Sequence, residues 1–164
     1  MKTKKLTFSA LMIAIGIIAG NLIYIPVGIS KCFPVQHIIN ILTAVALGPA
    51  YSVSIAFAIS LLRNMLGTGS LLAFPGSMIG AFLAGYIYKK TNKNLYAILG
   101  EVVGTGILGA LAAYPIAKFI IGKDVAVFFF MIPFSISTIG GSIIAYLLLK
   151  VNENVKILKN FGIK

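Results

Sequence analysis

The spacing of charged residues constrains this chain more than any other feature of its sequence. A helix needs roughly 20 apolar residues to cross a hydrocarbon layer about 30 Å thick. The chain repeatedly offers stretches of that size with at most one formal charge, namely 6–30, 32–62, 64–88, 94–117 and 125–149. The composition agrees, since 59% of the residues are hydrophobic and only 10% are charged. We therefore predict an all-α integral membrane protein.

The 32–62 stretch decides how many helices there are. As one helix it would be about 46 Å long, too long for a single crossing without steep tilt. Leu47-Gly48-Pro49 is the natural break, because proline fits the first turn of a new helix and the residue before it avoids helical geometry. We expect one domain, 1–164, that forms a compact bundle of six transmembrane helices. Their predicted spans are 6–26, 34–48, 49–63, 73–89, 94–117 and 125–149.

The basic residues support six helices and orient them. With both termini cytoplasmic, ten basic residues lie inside and four outside, as cytoplasmic loops require, whereas five helices would give six inside and eight outside. The inner set is Lys2, Lys4, Lys5, Lys89, Lys90, Lys93, Lys150, Lys156, Lys159 and Lys164, and the outer set is Lys31, Arg63, Lys118 and Lys123. Basic residues at the predicted membrane boundaries explain the net charge of +11. We therefore expect lipid and not nucleic acid as the partner of the lysines.

Several classes of function lack their sequence signature. The chain has one cysteine, Cys32, no His-x-x-x-His pair and no acidic cluster, so we expect no metal. The P-loop pattern is absent, and a lone histidine without a nearby nucleophile or carboxylate is a poor basis for catalysis. We expect no cofactor and no enzymatic activity. The basic start followed by an apolar run also resembles a secretory signal, but its length and the lack of a cleavage site favour a retained helix.

Polar side chains gather in the outer half of the six-helix arrangement. They are Lys31, Gln36, His37, Asn40, Arg63, Asn64, Thr68, Ser70 and Tyr114. Polar groups are costly in hydrocarbon, so this gathering predicts an outward-facing solute pocket. His37 and Asn40 share one helix face, and Arg63 and Asn64 lead into the glycine-containing loop 67–70. We take His37, Asn40, Arg63, Asn64 and Ser70 as candidate substrate-binding residues, with helix capping or bridging as the alternative for the first two.

Glu101 is the one acid within a predicted span. It lies about 10 Å from the cytoplasmic end of the fifth helix, away from the outer pocket. Pairing with another helix, contact with substrate and a proton relay all remain open, and we keep it as a further binding candidate. A membrane enzyme would use His37, Arg63 and Glu101 as its reacting set. Their predicted depths differ too much for easy contact.

Two stretches of the sequence closely resemble the signatures of one protein family. Lys31-Cys32-Phe33-Pro34-Val35-Gln36-His37, with Asn40 following, and the longer stretch from Leu61 to Met78 are similar to signatures of the ThiW family. The resemblance implies the substrate-binding S component of an energy-coupling factor (ECF) transporter in the cell membrane, with hydroxyethylthiazole, a thiamine precursor, as its cargo. It also implies a membrane scaffold subunit and two ATPases as partners. Ala10 and Ala14 match the small-residue pattern by which such components dock their scaffold.

The identity of the cargo is left open by the residues. Thiamine-binding relatives stack their ligand on tryptophan, but this chain has none, so Phe33, Phe74 or Tyr114 would have to serve. Thiamine and its pyrimidine precursor stay as alternative cargoes, and a stand-alone secondary carrier stays as an alternative function. We expect the loop between the first two helices and the loop from Asn64 to Phe74 to close over bound solute.

Overall fold

The computed structural model describes residues 2–27 and 30–155. Gly28 and Ile29 of the first predicted gate loop, and Lys156, Lys159 and Lys164 of the charge tally, lie outside this range. Within it the helical prediction is confirmed, with six helices. They are α1 Lys2–Leu22, α2 Pro34–Leu47, α3 Pro49–Met65, α4 Ala73–Thr91, α5 Asn94–Ile120 and α6 Met131–Val155.

Proline and glycine set several of the helix ends. Gly48 separates α2 from α3 with a φ of 89°, a left-handed conformation that favours glycine, and Pro49 opens α3. α6 begins at Met131 and not near 125, because residues 127–130 form turns. Pro133 then falls in the first helical turn, where its missing N–H loses no hydrogen bond.

A short β-hairpin departs from the all-α expectation. α1 ends at Leu22 instead of 26, and the chain continues into antiparallel strands β1 Ile25–Val27 and β2 Ser30–Cys32. Pro26 cannot donate a helical hydrogen bond, and its β-branched neighbours, Ile25 and Val27, favour an extended backbone. The hairpin covers the end of the bundle at which α2 begins.

α2 is the central helix of the bundle. Eleven of its fourteen residues are buried, and it packs against α1, α3, α4 and α6. α4 packs in turn against α3 and α5. α1 lies at the periphery, where it buries Ser9, Gly16 and Gly20. The polar residues of α2 therefore lie inside the protein, between helices.

α5 is not a regular α-helix. Gly104–Gly109 and Ile116–Ile120 wind as π-helix, the second directly after Pro115. A Cβ atom on Gly109 would lie 2.5 Å from the Cα atom of Gly76, so α4 and α5 approach closely through their glycines. The first π-segment begins three residues after Glu101. Such segments often occur at functional sites.

Three helices are long and apolar enough to span a membrane, counted over the described residues. They are Lys2–Leu22, Asn94–Ile120 and the Met131–Glu153 part of α6. Large apolar side chains cover their outer faces, among them Leu11, Ile18, Leu99, Ile132 and Ile143, each at least 49% exposed. A surface of this kind suits lipid, and the chain is a membrane protein.

Candidate substrate site

A cavity of about 570 Å³ lies at the end of the bundle covered by the hairpin. The loops 66–72 and 121–130 meet the hairpin there, and α2, α4, α5 and α6 form the deeper walls. Its lining combines polar and aromatic side chains. The polar ones are Asn21, Lys31, Gln36, His37, Arg63, Thr68, Ser70, Ser77, Thr105, Lys123 and Ser137, and the aromatic ones are Tyr24, Phe33, Phe129, Phe130 and Phe134.

His37 and Glu101 form a buried pair, which corrects the expectation that their depths keep them apart. His37 Nδ1 lies 2.9 Å from Glu101 Oε1, and Glu101 is fully buried. The helical rise placed Glu101 correctly along α5, but it ignored how far α2 and α5 overlap in the bundle. With an ionised Glu101, which only accepts hydrogen bonds, Nδ1 would carry the ring proton. In a singly protonated ring, Nε2 would then hold the free lone pair, and His37 lines the cavity.

Glu101 Oε1 accepts two further hydrogen bonds. Asn40 Nδ2 donates to it at 3.0 Å and Thr105 Oγ1 at 3.1 Å. Asn40 is fully buried and does not line the cavity, so it acts behind His37. Glu101 also lies behind the lining. Among the predicted site residues, both support His37, whereas His37 itself reaches the cavity.

Arg63 also lines the cavity, although only 2% of its surface is exposed. Its guanidinium donates to Asn21 Oδ1 at 3.4 Å, Gln36 Oε1 at 3.2 Å and the Thr68 carbonyl at 3.2 Å. The Phe33 ring covers one face, with its centre 4.1 Å from Cζ. These contacts fix Arg63 between α1, α2 and the 66–72 loop.

A chain of hydrogen bonds along the cavity wall connects Arg63 with Glu101. Gln36 Nε2 donates to Ser60 Oγ at 2.8 Å, and Ser60 Oγ lies 3.1 Å from Ser77 Oγ. Asn40 Nδ2 joins the Ser77 carbonyl at 3.1 Å to Glu101. The network links polar groups of α2, α3, α4 and α5, although Asn40 Oδ1 and Glu101 Oε2 accept no hydrogen bond from the described residues.

Asn64 and Ser70 shape the loop over the cavity. Asn64 Nδ2 donates to the Ser60 carbonyl at 2.8 Å and to the Ser70 carbonyl at 3.1 Å. Asn64 does not line the cavity, whereas Ser70 does. A Cβ atom on Gly69 would lie 2.8 Å from the Asn64 backbone nitrogen, so the loop needs glycine there to fold back onto α3. Asn64 positions the loop.

The aromatic residues that line the cavity differ in part from the three that the sequence predicted. Phe33 lines the cavity, but Phe74 and Tyr114 do not; Phe74 packs on Phe57, and the Tyr114 hydroxyl accepts from Lys118. The sequence reasoning missed Phe129, Phe130 and Phe134. The run of three phenylalanines at 128–130 was a signal for them, but it was assigned to a transmembrane span.

Cys32 and Phe33 tie the hairpin to α6. The Cys32 thiol donates to the Pro133 carbonyl, with Sγ 3.1 Å from the oxygen, and the Phe33 amide donates to Ser137 Oγ at 2.9 Å. Cys32 lies in β2, outside the helices, and burial raises the pKa of its thiol above the ordinary value. The thiol is therefore protonated and unreactive at neutral pH.

Comparison with known proteins identifies the family. The family model for thiamine-precursor transporter proteins (ThiW) matches residues 6–155. This chain belongs to the ThiW family. Searches of curated proteins and of solved structures gave no match. The ThiW family is one of transporter components, which points to a small-molecule substrate and away from an enzyme.

The two stretches that resemble ThiW signatures supply much of the cavity lining. The stretch at 31–37 contributes Lys31, Cys32, Phe33, Gln36 and His37, and the stretch at 61–78 contributes Arg63, Gly67, Thr68, Gly69, Ser70, Leu72, Ala73, Gly76 and Ser77. The remaining wall comes mainly from α5, α6 and the loop between them. The residues that carry the family resemblance thus lie around one cavity.

Proposed function

We propose that this ThiW protein is the S component of an ECF transporter and captures hydroxyethylthiazole from outside the cell. One observation carries the proposal. The chain forms a cavity of about 570 Å³, lined largely by its ThiW-like stretches, with a histidine and an arginine among the lining residues. This volume falls within the range of roughly 300–1,000 Å³ that small-molecule sites occupy.

The chemistry of the cavity suits this cargo. Hydroxyethylthiazole has a small aromatic ring, one ring nitrogen that accepts a hydrogen bond, and one hydroxyl. The phenylalanines of the cavity offer faces for the ring. The hydroxyl would donate to the His37 ring nitrogen that does not contact Glu101, and Arg63 has N–H groups that would donate to the ligand. Thiamine and its pyrimidine precursor also fit the volume, so competition binding measurements are needed to choose among the three ligands.

The orientation belongs to the same proposal. Six crossings, with both termini cytoplasmic, would place Lys89, Lys90 and Lys93 inside, at the end of the bundle opposite the cavity. The cavity then opens outward, and the 66–72 loop and the hairpin lie over it as gates. α2 has only 14 residues, fewer than a helix in contact with lipid needs to cross the membrane. Because it is buried among other helices, it does not have to meet that length.

The partners are a membrane scaffold and two ATPases that supply the energy. Ala10 and Ala14 support this part, because both are exposed on the peripheral helix α1 and stand four residues apart. Small residues at this spacing let another helix approach closely in lipid. A stand-alone secondary carrier would instead need no partner. Uptake by the purified chain alone in proteoliposomes, driven by an ion gradient, would contradict the ECF assignment.

Calorimetry on the detergent-purified chain tests the cargo. We expect hydroxyethylthiazole to bind, and thiamine and the hydroxymethyl pyrimidine to compete weakly. His37→Ala should weaken thiazole binding about tenfold, the size of one lost hydrogen bond in a closed site. Thr91→Ala, an exposed change at the other end of the bundle, is the control and should bind normally. Absence of binding by all three ligands would refute the function.

A further inference from the structure

The cavity carries positive charge that no lining acid balances. Lys31, Arg63 and Lys123 line it, and its described lining includes neither aspartate nor glutamate. Asp124 follows Lys123 in the chain and offsets that charge in part. Glu101 lies behind His37 and is engaged there. In the part of the chain that the structure describes, Lys31 and Arg63 therefore face the cavity without a carboxylate partner.

Of these two cations, Arg63 is the stronger evidence for an anionic ligand. A buried charge is costly unless it is paired, and this guanidinium is 2% exposed with neutral acceptors alone around it in the described residues. Arginine has five N–H donors, and three are engaged here. Phe33 covers one face of the guanidinium, and two N–H groups remain that could donate to a ligand.

Lys31 adds a second cation at the mouth of the cavity. Its side chain is exposed, and Nζ lies 4.9 Å from the centre of the Tyr24 ring, which also lines the cavity. A guanidinium fork recognises phosphate or carboxylate through two hydrogen bonds, and an ammonium adds a point charge. The two together favour a ligand group that carries more than one negative charge.

We propose that the cavity binds the thiazole alcohol also as its phosphate monoester, with the phosphate on Arg63 and Lys31, and that this anionic form binds more tightly. The inference rests on the proposed function, because the thiazole remains the cargo. A phosphate monoester carries about −1.5 to −2 charge near pH 7. The aromatic wall meets the same ring in both forms, so the two ligands differ at one end only.

Calorimetry at pH 7.5 compares hydroxyethylthiazole, its phosphate monoester and inorganic phosphate on the purified chain. We expect the ester to bind at least about tenfold more tightly than the alcohol, since hydrogen bonds to charged groups are the stronger ones. Lys31→Gln and Arg63→Gln should remove most of that advantage. Lys90→Gln is the matched control, because Lys90 also lies over a tyrosine, 5.3 Å from the Tyr86 ring centre, but does not line the cavity.

The pH dependence of ligand affinity tests the proposal on the unmodified protein. The second ionisation of a phosphate monoester lies near pH 6, so the affinity ratio of ester to alcohol should rise between about pH 5 and 7.5. The same ratio measured in the His37→Ala variant removes any contribution from the histidine. A ratio that stays constant would overturn the proposal. If the Arg63→Gln variant does not fold, the Lys31→Gln variant tests the proposal, because Lys31 is exposed and its substitution should not affect folding.

The other outcomes separate the two proposals. An alcohol that binds as tightly as the ester overturns this inference and leaves the proposed function intact, whereas no binding by either ends both. Inorganic phosphate that binds as tightly as the ester would mean a site for the free ion. Loss of ester binding in nanodiscs of anionic lipid, but not of zwitterionic lipid, would assign the cations to lipid headgroups. Each of these two results contradicts the proposal.

Discussion

At the scale of single residues, three side chains meet at one carboxylate oxygen. Glu101 Oε1 accepts from His37, Asn40 and Thr105 in a site without exposure. Each buried donor left without an acceptor costs about 1–3 kcal/mol. Thr105 Oγ1 keeps the Gly76 carbonyl and Asn40 Nδ2 keeps the Ser77 carbonyl as acceptors. We therefore expect Glu101→Ala to lower the free energy of unfolding by about 1–3 kcal/mol, while Glu101→Gln, which keeps one acceptor oxygen, should lose less. Thermal unfolding in detergent measures both variants.

The control for Glu101 is the other acid with a side-chain partner. Glu153 accepts from Asn94 at 2.6 Å in an exposed position at the opposite end of the bundle. Exposed polar pairs contribute little, so Glu153→Gln should change stability by less than about 0.5 kcal/mol. Equal losses for Glu101→Ala and Glu101→Gln would show that the carboxylate does not hold its three donors as described.

At the scale of secondary-structure elements, the α4–α5 contact depends on glycine. A Cβ atom on Gly80 would overlap Thr105 Oγ1 and lie 2.7 Å from Glu101 Oε2. Gly80→Ala should therefore destabilise the protein by about 1–3 kcal/mol, a typical penalty for overpacking. It should also weaken ligand binding, because Glu101 supports His37.

Gly140 in α6 offers the matched comparison for Gly80. A Cβ atom there would meet nothing nearer than Pro34 Cβ at 4.0 Å. Alanine is the better helix former, so Gly140→Ala should be neutral or stabilising by up to about 1 kcal/mol. Thermal unfolding of the two variants side by side is the measurement. A Gly80→Ala protein as stable as Gly140→Ala would refute the close packing of α4 on α5.

At the scale of the whole molecule, the cavity and the Lys89–Lys93 segment lie at opposite ends. Lys123→Cys and Lys89→Cys, each in a Cys32→Ser background, place a single thiol at an exposed position at either end. A membrane-impermeant maleimide added to intact cells should label Lys123→Cys and leave Lys89→Cys unlabelled until the cells are opened. The reverse pattern would place the cavity inside and contradict capture from outside.

The sequence by itself determined the helical fold and the break between α2 and α3. Charge-free stretches of membrane length cannot expose their backbone groups to lipid, so they must be helical. Proline and glycine act locally, which is why the break at Gly48-Pro49 was readable from the sequence. His37, Arg63 and Ser70 were also readable as polar groups in apolar surroundings, and the structure places all three in the lining of one cavity.

The tertiary structure alone decided which side chains meet. His37 and Glu101 are 64 positions apart, and their contact depends on how far α2 and α5 overlap, a quantity that no local pattern contains. The same holds for Phe129, Phe130 and Phe134, whose apolar character suits lipid and cavity equally well. The sequence specifies the chemistry of each helix face, but packing selects which faces enclose the cavity and which face lipid.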